Sequence, residues 1–331
     1  MKYLIFGAGT IGITYAWLLS QKNDVDILVK PEHSTSLSKG ITMLVKDLRK
    51  QALNYETIQF SLKCITEIRE QYDVILVAVN RCQLKDVLPL LAEKQNHTKY
   101  FAFMQNNWNI KREVEQYISK ERYFIAFPSS VGGGRDERGV EVIIFDEATR
   151  LGGQCENAIA MMKKDLTKVG IKTKVDKNIF DWLKVHYLQQ SITAGAVLES
   201  GDFETFVKDY NAIKKIVKAF REGIEVCRLQ GVKTNRIFPA NLFQLPLGIV
   251  ARTMQKMFLE INTIEMVNNH MKKGLVEWIA GYKEVLYDGI SSGLSMTVWK
   301  SYETAVEEYL RKDKEENATF STCLGSGRRD K

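Results

Sequence analysis

The stretch Lys2–Gly12, KYLIFGAGTIG, constrains the fold of this chain more than any other segment. A short apolar run leads straight into a GxGxxG motif, and a segment with helical periodicity follows it. In this context Gly7 allows a tight turn, Gly9 allows the close approach of a pyrophosphate, and Gly12 allows the helix to pack closely on the strand. The alternative is a glycine-rich turn that joins an ordinary strand to a helix. The motif predicts a dinucleotide site at the positive end of the helix, formed by Gly7, Gly9, Thr10, Ile11 and Gly12.

Strand-like apolar segments alternate with helix-like segments in the first half of the chain. After the first strand, the predicted strands are Val25–Val29, Asp73–Val79, Tyr100–Met104 and Tyr123–Phe127, and the predicted helices are Gln83–Lys94 and Asn109–Lys120. This alternation is typical of α/β proteins with a doubly wound, mostly parallel sheet of the Rossmann type. One or two edge strands are expected between Gly40 and Leu62, where the pattern is less regular.

The glycine-rich segment Ser129–Gly139 has two interpretations. It could bind phosphate, but no helical pattern follows it, so a mobile hairpin turn or loop is the preferred prediction. Beyond it, late strands are predicted at Val140–Phe145 and Lys172–Val175, on either side of a helix near Glu156–Val169.

The pattern becomes helical from about residue 178 onward. Segments with a period of about 3.6 residues occur at Phe180–Glu199, Asp209–Gln230, Leu247–Lys273 and Thr297–Arg311. We therefore predict a dinucleotide-binding domain over residues 1–176, an all-helical domain over residues 177–311, and a disordered polar tail over residues 312–331.

Composition narrows the class of protein. A formal net charge of +7 is spread over 331 residues without a basic block, which favours a cationic enzyme surface over a nucleic-acid interface. No apolar run approaches the ~20 residues of a membrane span. Scattered cysteines without a CxxC pair, and a first strand that starts at residue 2, predict a cytoplasmic protein. The few histidines form no ligand cluster, so no metal site is expected, and amphipathic helices could support a homodimer.

The residue at the end of the second strand bears on the choice of cofactor. NAD-binding folds place an Asp or Glu there, which accepts a hydrogen bond from the ribose 2′-hydroxyl. This chain has Lys30, 18 residues after Gly12, and Asp26 lies too early in the strand to take that role. Because a cation favours a 2′-phosphate, the sequence predicts NADP(H). The alternative is a solvated surface lysine.

Five sequence blocks, in their order and spacing, resemble the ketopantoate reductase (2-dehydropantoate 2-reductase) family. The blocks are Phe6–Gly12, Ile75–Gln83, Phe103–Asn106, Asp181–Lys184, and Thr253 followed by Glu265. The resemblance extends to about residue 290. It implies a Rossmann domain joined to an all-helical domain, with NADPH-dependent reduction of a 2-keto acid in the cleft between them.

The resemblance also implies roles for individual residues. Lys184 matches the family's general-acid lysine, and the alternative is a surface lysine beside a core Trp182. Glu265 matches a glutamate that assists this lysine, although Glu260 could serve instead. Thr253 matches a substrate-binding serine, or it bonds its own helix backbone. Further implied contacts are Asn106 with the nicotinamide and substrate, Lys30 with the 2′-phosphate, and Asn80 with Arg81 at the position of a cofactor-binding lysine.

The chain departs from the family pattern mainly among the substrate residues. Two asparagines that follow the family lysine at four and eight residues are Leu188 and Ile192 here, and the glycine of the family's amide motif is Asn107. An unbroken helix would instead place Tyr187 and Ser191 on the side of the lysine. These departures indicate a divergent branch whose 2-oxo substrate need not be ketopantoate. The remaining substrate-binding candidates are Ser191 and Asn269, which follow Lys184 and Glu265 at helical spacing.

The predicted chemistry follows from these residue types. Hydride transfer to a ketone builds negative charge on the carbonyl oxygen, and a lysine aimed at that oxygen stabilises the charge and supplies a proton. The sequence therefore predicts an NADPH-dependent reductase of a small 2-oxo acid, and the resemblance implies pantothenate synthesis. Two alternatives stay open, namely an NADP(H)-binding sensor or interaction protein with little turnover, and a dehydrogenase of a different hydroxy or amino acid.

Overall fold

The computed structural model describes residues 1–61 and 63–316, without the side chains of residues 269, 270, 272, 273, 315 and 316. The chain divides into two compact units, of which the first is Met1–Phe180 and the second begins at Asp181. This division lies four residues beyond the boundary predicted at residue 176. Within the described ranges, no helix combines the length and the apolar character needed to cross a bilayer.

The first unit contains two sheets and the helices that pack on them. Its strands are β1 (Lys2–Phe6), β2 (Asp24–Leu28), β3 (Ile41–Asp47), β4 (Glu56–Phe60), β5 (Cys64–Ile65), β6 (Tyr72–Val77), β7 (Thr98–Phe103), β8 (Tyr123–Phe127), β9 (Val131–Asp136), β10 (Gly139–Ile144), β11 (Thr149–Gly153) and β12 (Thr173–Val175). Its helices are α1 (Thr10–Ser20), α2 (Pro31–Leu37), α3 (Leu84–Glu93), α4 (Ile110–Val114) and α5 (Glu156–Lys168).

The main sheet has the order β12-β11-β8-β7-β6-β1-β2-β5. Strand β1 pairs in parallel with β2 on one side and with β6 on the other, so the strand order reverses next to β1. Strands β6, β7 and β8 continue in parallel, whereas β11 runs antiparallel to β8. Strand β8 is buried along its whole length, as expected for a parallel strand covered on both faces. The predicted doubly wound sheet followed by a helical region is confirmed.

A second sheet, of order β4-β3-β10-β9, was not expected from the sequence. The segments predicted as edge strands, β3 and β4, belong to this sheet, and so does β10. The segment Ser129–Gly139, predicted as a hairpin turn or loop, does belong to a hairpin, but its consecutive glycines lie in strand β9 and pair with β10 instead of forming the turn, which is at residues 137–138. A Cβ at Gly133 would lie 2.1 Å from the carbonyl oxygen of Glu141, so the close approach of the two strands requires glycine.

Two further predictions in the first unit need correction. The strands on either side of α5 are β11 and β12, and the pattern missed β11 because the sequence Thr-Arg-Leu-Gly-Gly contains no apolar run. The helix predicted over Asn109–Lys120 ends at Val114, and turns follow it.

Helix α1 shares a single hydrophobic core with residues of both sheets. Ile13 and Leu18 on α1 are fully buried, together with Met43 of β3 and Val142 of β10. The Tyr15 hydroxyl lies 3.2 Å from Ser130 Oγ and 2.6 Å from Thr149 Oγ1, and the latter two oxygens lie 2.8 Å apart. We call these three residues the hydroxyl cluster. The cluster holds the helix to the segments that precede β9 and begin β11, and it satisfies polar groups that would otherwise be buried without partners.

The second unit is helical over its described residues. Its helices are α6 (Ile179–Ser200, which begins in the first unit), α7 (Phe203–Lys208), α8 (Tyr210–Leu229), α9 (Leu247–Phe258), α10 (Ile261–Ser291), α11 (Thr297–Lys300) and α12 (Glu303–Glu316). The single helix predicted over Leu247–Lys273 is wrong, since Glu260 has an extended backbone (φ −62°, ψ 127°) between α9 and α10. No glycine or proline marks this break in the sequence.

The final helix extends into the predicted tail. Helix α12 includes residues 312–316, which the sequence analysis assigns to a disordered segment, and residues 317–331 lie outside the described residues. Val306 and Leu310 on this helix are buried, one turn apart, and this apolar contact supports a helix whose last turn is polar.

The hydroxyl cluster yields a stability prediction. We expect Tyr15→Phe to lower the free energy of unfolding by about 1–2 kcal/mol, because it removes a hydrogen-bonding group from two buried partners. Urea denaturation measures this loss. Tyr117→Phe is the matched control, because Tyr117 is 41% exposed and should tolerate the change. Equal stability of the two variants would contradict the prediction.

Candidate functional site

The carboxyl ends of four parallel strands lie level at one edge of the main sheet. Phe6 pairs with Leu28 and with Val77, and Val77 pairs with Phe103. The segments that follow β1, β2, β6 and β7 therefore leave the sheet at the same edge. This edge includes the place where the strand order reverses, which is where open α/β sheets bind ligands.

In the turn Gly7–Gly12 at this edge, the backbone leaves no room for a side chain at Gly7 or at Gly12. Gly7 has a φ of +119°, and a Cβ there would lie 2.9 Å from the backbone of Ala78. A Cβ at Gly12 would lie 1.9 Å from the carbonyl oxygen of Gly7, so only glycine lets α1 start this close to the strand. At Gly9, by contrast, a Cβ would meet no atom within 4 Å. The space beside Gly9 is open to a ligand, as the motif predicts.

The start of α1 is suited to an anion. Gly9 is the N-cap, and no side chain caps the helix. The N–H of Ile13 donates to the Gly9 carbonyl at 2.9 Å, and Thr10, Ile11 and Gly12 precede this first helical bond. Their N–H groups have no carbonyl one turn earlier to bond and carry the positive end of the helix dipole. Open space at Gly9 together with these donors fits the diphosphate of a dinucleotide.

The end of β2 presents a cation instead of a carboxylate. Lys30 is exposed and has an extended backbone directly before α2. Asp26, earlier in β2, is 1% exposed. Its carboxylate accepts the Tyr72 hydroxyl at 2.8 Å and pairs with Lys63 Nζ at 2.7 Å. These contacts hold the Asp26 carboxylate inside the first unit, so it cannot accept a hydrogen bond from a ribose hydroxyl.

Asn80 and Arg81 follow the end of β6. Asn80 is exposed and caps a short 3-10 helix over Arg81–Gln83: its Oδ1 accepts from the Cys82 N–H at 3.0 Å, while its own N–H donates to Gln83 Oε1 at 3.2 Å. Arg81 is partly buried. The structure thus gives Asn80 a local capping role at the position where the family has a lysine.

The amides after β7 divide into structural groups and a candidate ligand contact. Gln105 Nε2 donates to the Val79 carbonyl at 2.8 Å and so joins the ends of β6 and β7. Asn107 is 1% exposed, accepts from the Asn109 N–H at 2.9 Å and donates to Glu113 Oε2 at 2.9 Å. Asn107 thus orients the start of α4. Asn106, between these two amides, is partly exposed at the same edge as the glycine turn.

Arg135 also reaches the glycine turn, and the sequence analysis missed it. Its guanidinium donates to the carbonyl oxygen of Ala8, between Gly7 and Gly9. Its neighbours in the sequence are polar and glycine residues with no helical pattern, so only the pairing of β9 with β10 reveals where it lies.

In the second unit, Lys184 on α6 is partly buried beside polar side chains from the end of α8 and from α10. Its Nζ donates to Gln230 Oε1, and Gln230 Nε2 donates to Asp288 Oδ2 at 2.9 Å. Burial lowers the pKa of Lys184 below its ordinary value of 10.5, while Asp288 and Glu284 oppose this shift. An ammonium that has lost part of its hydration in this way is closer to the pKa that a general acid needs.

The neighbouring residues of α6 form core contacts. A Cβ at Gly223 would lie 2.8 Å from Leu188 Cδ2, so Leu188 fills space beside α8. The Tyr187 hydroxyl donates to Glu284 Oε2 at 2.9 Å. Ser191 is fully buried, and a Cβ at Gly281 would lie 2.5 Å from its Oγ. Close packing on α10 leaves the Ser191 hydroxyl no exposed surface in this structure, and its contact with substrate stays a prediction.

The structure does not bring Glu265 to Lys184. Glu265 is 19 residues before Glu284 in α10, which at the helical rise corresponds to about 28 Å. The carboxylates that raise the pKa of Lys184 belong instead to Asp288, Glu284 and Asp181. Thr253 is exposed on α9, and the side chain of Asn269 lies outside the described residues.

Comparison with known proteins gives one family match and several structural likenesses. Residues 3–152 match the family model described as ketopantoate reductase PanE/ApbA. The structure is similar to that of D-mandelate dehydrogenase with NADH and anilino(oxo)acetate, with a TM-score of 0.73 and 16% identity over 96% of this chain and 100% of that one. No curated protein sequence matches the chain.

Two ketopantoate reductase structures are also similar. For 2-dehydropantoate 2-reductase from Geobacter metallireducens the TM-score is 0.68, with 16% identity over 93% of this chain and 100% of that one. For the dimeric ketopantoate reductase from Staphylococcus aureus the TM-score is 0.64, with 14% identity over 95% and 100%. At these identities the likeness shows the fold. The match to the ketopantoate reductase PanE/ApbA model rests on sequence and covers residues 3–152, a little under half of the chain.

Proposed function

We propose that this protein is an NADPH-dependent reductase of a small 2-oxo acid. The observation that carries the proposal is the glycine turn, where a close-packed helix start adjoins open space at Gly9 inside the segment that matches the ketopantoate reductase model. The family match and the structural neighbours support an NAD(P)-dependent oxidoreductase that acts on a CH–OH group. The oxo acid bound to the similar D-mandelate dehydrogenase supports the substrate class.

The chemistry assigned to Lys184 is proton donation to the substrate carbonyl oxygen. The dinucleotide supplies a hydride when it is bound. Lys184 would stabilise the negative charge that develops on the oxygen and then give up its proton. Gln230, itself held by Asp288, orients the ammonium.

Substrate and cofactor contacts complete the proposal. Asn106 is assigned to the nicotinamide and the substrate, and the exposed Thr253 hydroxyl to the substrate. Lys30 is assigned to the 2′-phosphate, because it is an exposed cation at the end of β2 and the nearest acidic side chain in that strand is buried. Leu188 and Ile192, at the positions where the family has two asparagines, are fully buried, so α6 offers the substrate fewer polar side chains than the resemblance implies. The proposal includes a cytoplasmic location and a homodimeric assembly. The Staphylococcus aureus neighbour is described as dimeric.

A second candidate is an NADH-dependent dehydrogenase of a 2-hydroxy acid. The likeness to D-mandelate dehydrogenase with bound NADH favours it. Initial rates with 2-oxo acids and reduced dinucleotides, and with 2-hydroxy acids and oxidised ones, separate the two candidates. Faster reduction of 2-oxo acids with NADPH, including ketopantoate, supports the first. Saturable dinucleotide binding without turnover in either direction would contradict both and point to a sensor.

The glycine turn gives the first functional prediction. We expect Gly9→Ala to raise the Kd of both NADPH and NADH about tenfold or more, because its methyl group would occupy the space open to the diphosphate. Stability should change little, since the methyl meets no protein atom within 4 Å. Gly12→Ala is the contrast, with an expected loss of about 1–3 kcal/mol from overpacking. Fluorescence titration and urea denaturation measure the two effects, and normal dinucleotide binding by Gly9→Ala would contradict the site.

Cofactor preference is tested at Lys30. We expect Lys30→Ala to raise the Kd of NADPH about tenfold, through loss of a charge-assisted hydrogen bond, and to leave the Kd of NADH unchanged. Lys39→Ala is the matched control, because Lys39 is exposed beyond α2. If Lys30→Ala weakens neither dinucleotide, or both equally, the lysine does not select the 2′-phosphate.

The general acid is tested by Lys184→Ala. We expect kcat/KM to fall at least about 100-fold, the usual contribution of such an acid, while the Kd of NADPH stays near normal. Lys218→Ala removes an exposed lysine from α8 of the same unit and should retain activity. Turnover by Lys184→Ala at the level of this control would remove the assignment.

A further inference from the structure

Arg135 links the second sheet to the glycine turn. Its hydrogen bond to the Ala8 carbonyl joins residues 127 positions apart in the sequence. A phosphate loop is the less favoured sequence interpretation of the glycine-rich segment around it, and in the structure these glycines are strand residues. The residue of this segment that reaches the glycine turn is therefore the cation Arg135, and not a glycine.

Several contacts fix the position of Arg135 relative to α1. Ser130, directly before β9, belongs to the hydroxyl cluster and so is held by Tyr15 of α1. Within the hairpin, Arg135 pairs with Val140, which is 1% exposed in the shared core. The strand that carries Arg135 is thus anchored on α1 both before the arginine and opposite it. A cation held in this way loses little conformational entropy when it meets an anion.

The environment of Arg135 differs from that of an ordinary surface arginine. Burial lowers the pKa of its guanidinium below the ordinary value, which means that the cation has lost part of its hydration. An anionic ligand restores that lost stabilisation through charge-assisted hydrogen bonds. Arg138, at the tip of the same hairpin, has a side chain that is 90% exposed and pairs with Asp136 at 3.1 Å.

We propose that Arg135 binds the diphosphate of the dinucleotide, an inference that rests on the proposed function. A guanidinium has five N–H donors, enough to bond the Ala8 carbonyl and a phosphate oxygen together. The diphosphate belongs at the glycine turn and the start of α1, where Ala8 lies, whereas a 2′-phosphate belongs at the end of β2. Arg135 therefore contributes affinity for NADPH and NADH alike.

The test compares both dinucleotides in binding titrations of the full chain. We expect Arg135→Gln to raise the Kd of NADPH and of NADH by the same factor, about 10- to 100-fold. Arg135→Lys keeps a point charge without the planar fork and should recover part of the affinity. Arg138→Gln removes a charge from the same hairpin and should bind as the wild type does.

The outcomes separate this inference from the proposed function. Wild-type protein that binds neither dinucleotide overturns both. Wild-type binding with an unchanged Kd in Arg135→Gln overturns the inference alone. A loss confined to NADPH also overturns it, because Arg135 would then contact the 2′-phosphate.

A measurement on the wild type covers the case in which Arg135→Gln does not fold. An arginine-selective dicarbonyl reagent labels the protein, and peptide mass spectrometry reports the extent at each arginine. We expect NADPH, NADH and ADP to protect Arg135 and to leave Arg138 equally reactive. Labelling of Arg135 at the same rate with and without these ligands would overturn the inference.

Discussion

The contact between Gly12 and the Gly7 carbonyl oxygen is the constraint on which the first unit depends. A side chain at Gly12 would lie 1.9 Å from that oxygen, so α1 can start at this distance from β1 only with glycine. The position of α1 then decides two other things. Its sides, with Ile13 and Leu18, join the core shared by the two sheets, and its first N–H groups face the open space at Gly9. One backbone contact therefore serves both the core and the candidate cofactor site.

The sequence predicted the parts of the fold whose signal is local. Strands β6, β7 and β8 are apolar runs because helices or strands cover both faces, and such runs are visible without knowledge of their partners. The second sheet had no such signal. Strand β4 is largely exposed and β9 is rich in glycine, so neither has a typical strand composition. Their strand structure comes from pairing with β3 and β10, and pairing over such sequence distances leaves no local pattern.

The candidate site shows the same division between local and distant information. The glycines of the turn were predictable because each has a backbone role that only glycine can fill. The neighbours of Lys184 were not, since Gln230 directly follows α8 and Asp288 lies on α10, and nothing near Lys184 in the sequence indicates them. Helical spacing predicted Ser191 on the side of Lys184, but it could not show that Gly281 lets α10 pack onto this hydroxyl. Likewise, the family spacing that suggested Glu265 could not show that α10 runs from Ile261 to Ser291, with Glu265 near its start and Glu284 near its end.

The second sheet also has a consequence for biosynthesis. Strand β3 is complete after residue 47, but its parallel partner β10 begins at Gly139. While the ribosome makes the residues between them, β3 has only the mostly exposed β4 beside it, and the side of α1 that packs on β9 and β10 is uncovered. A nascent chain in this condition presents an unpaired strand edge and apolar surface, the features that chaperones recognise. The first unit can therefore complete its core only after β10 has been synthesised, although β1 and α1 leave the ribosome long before β10.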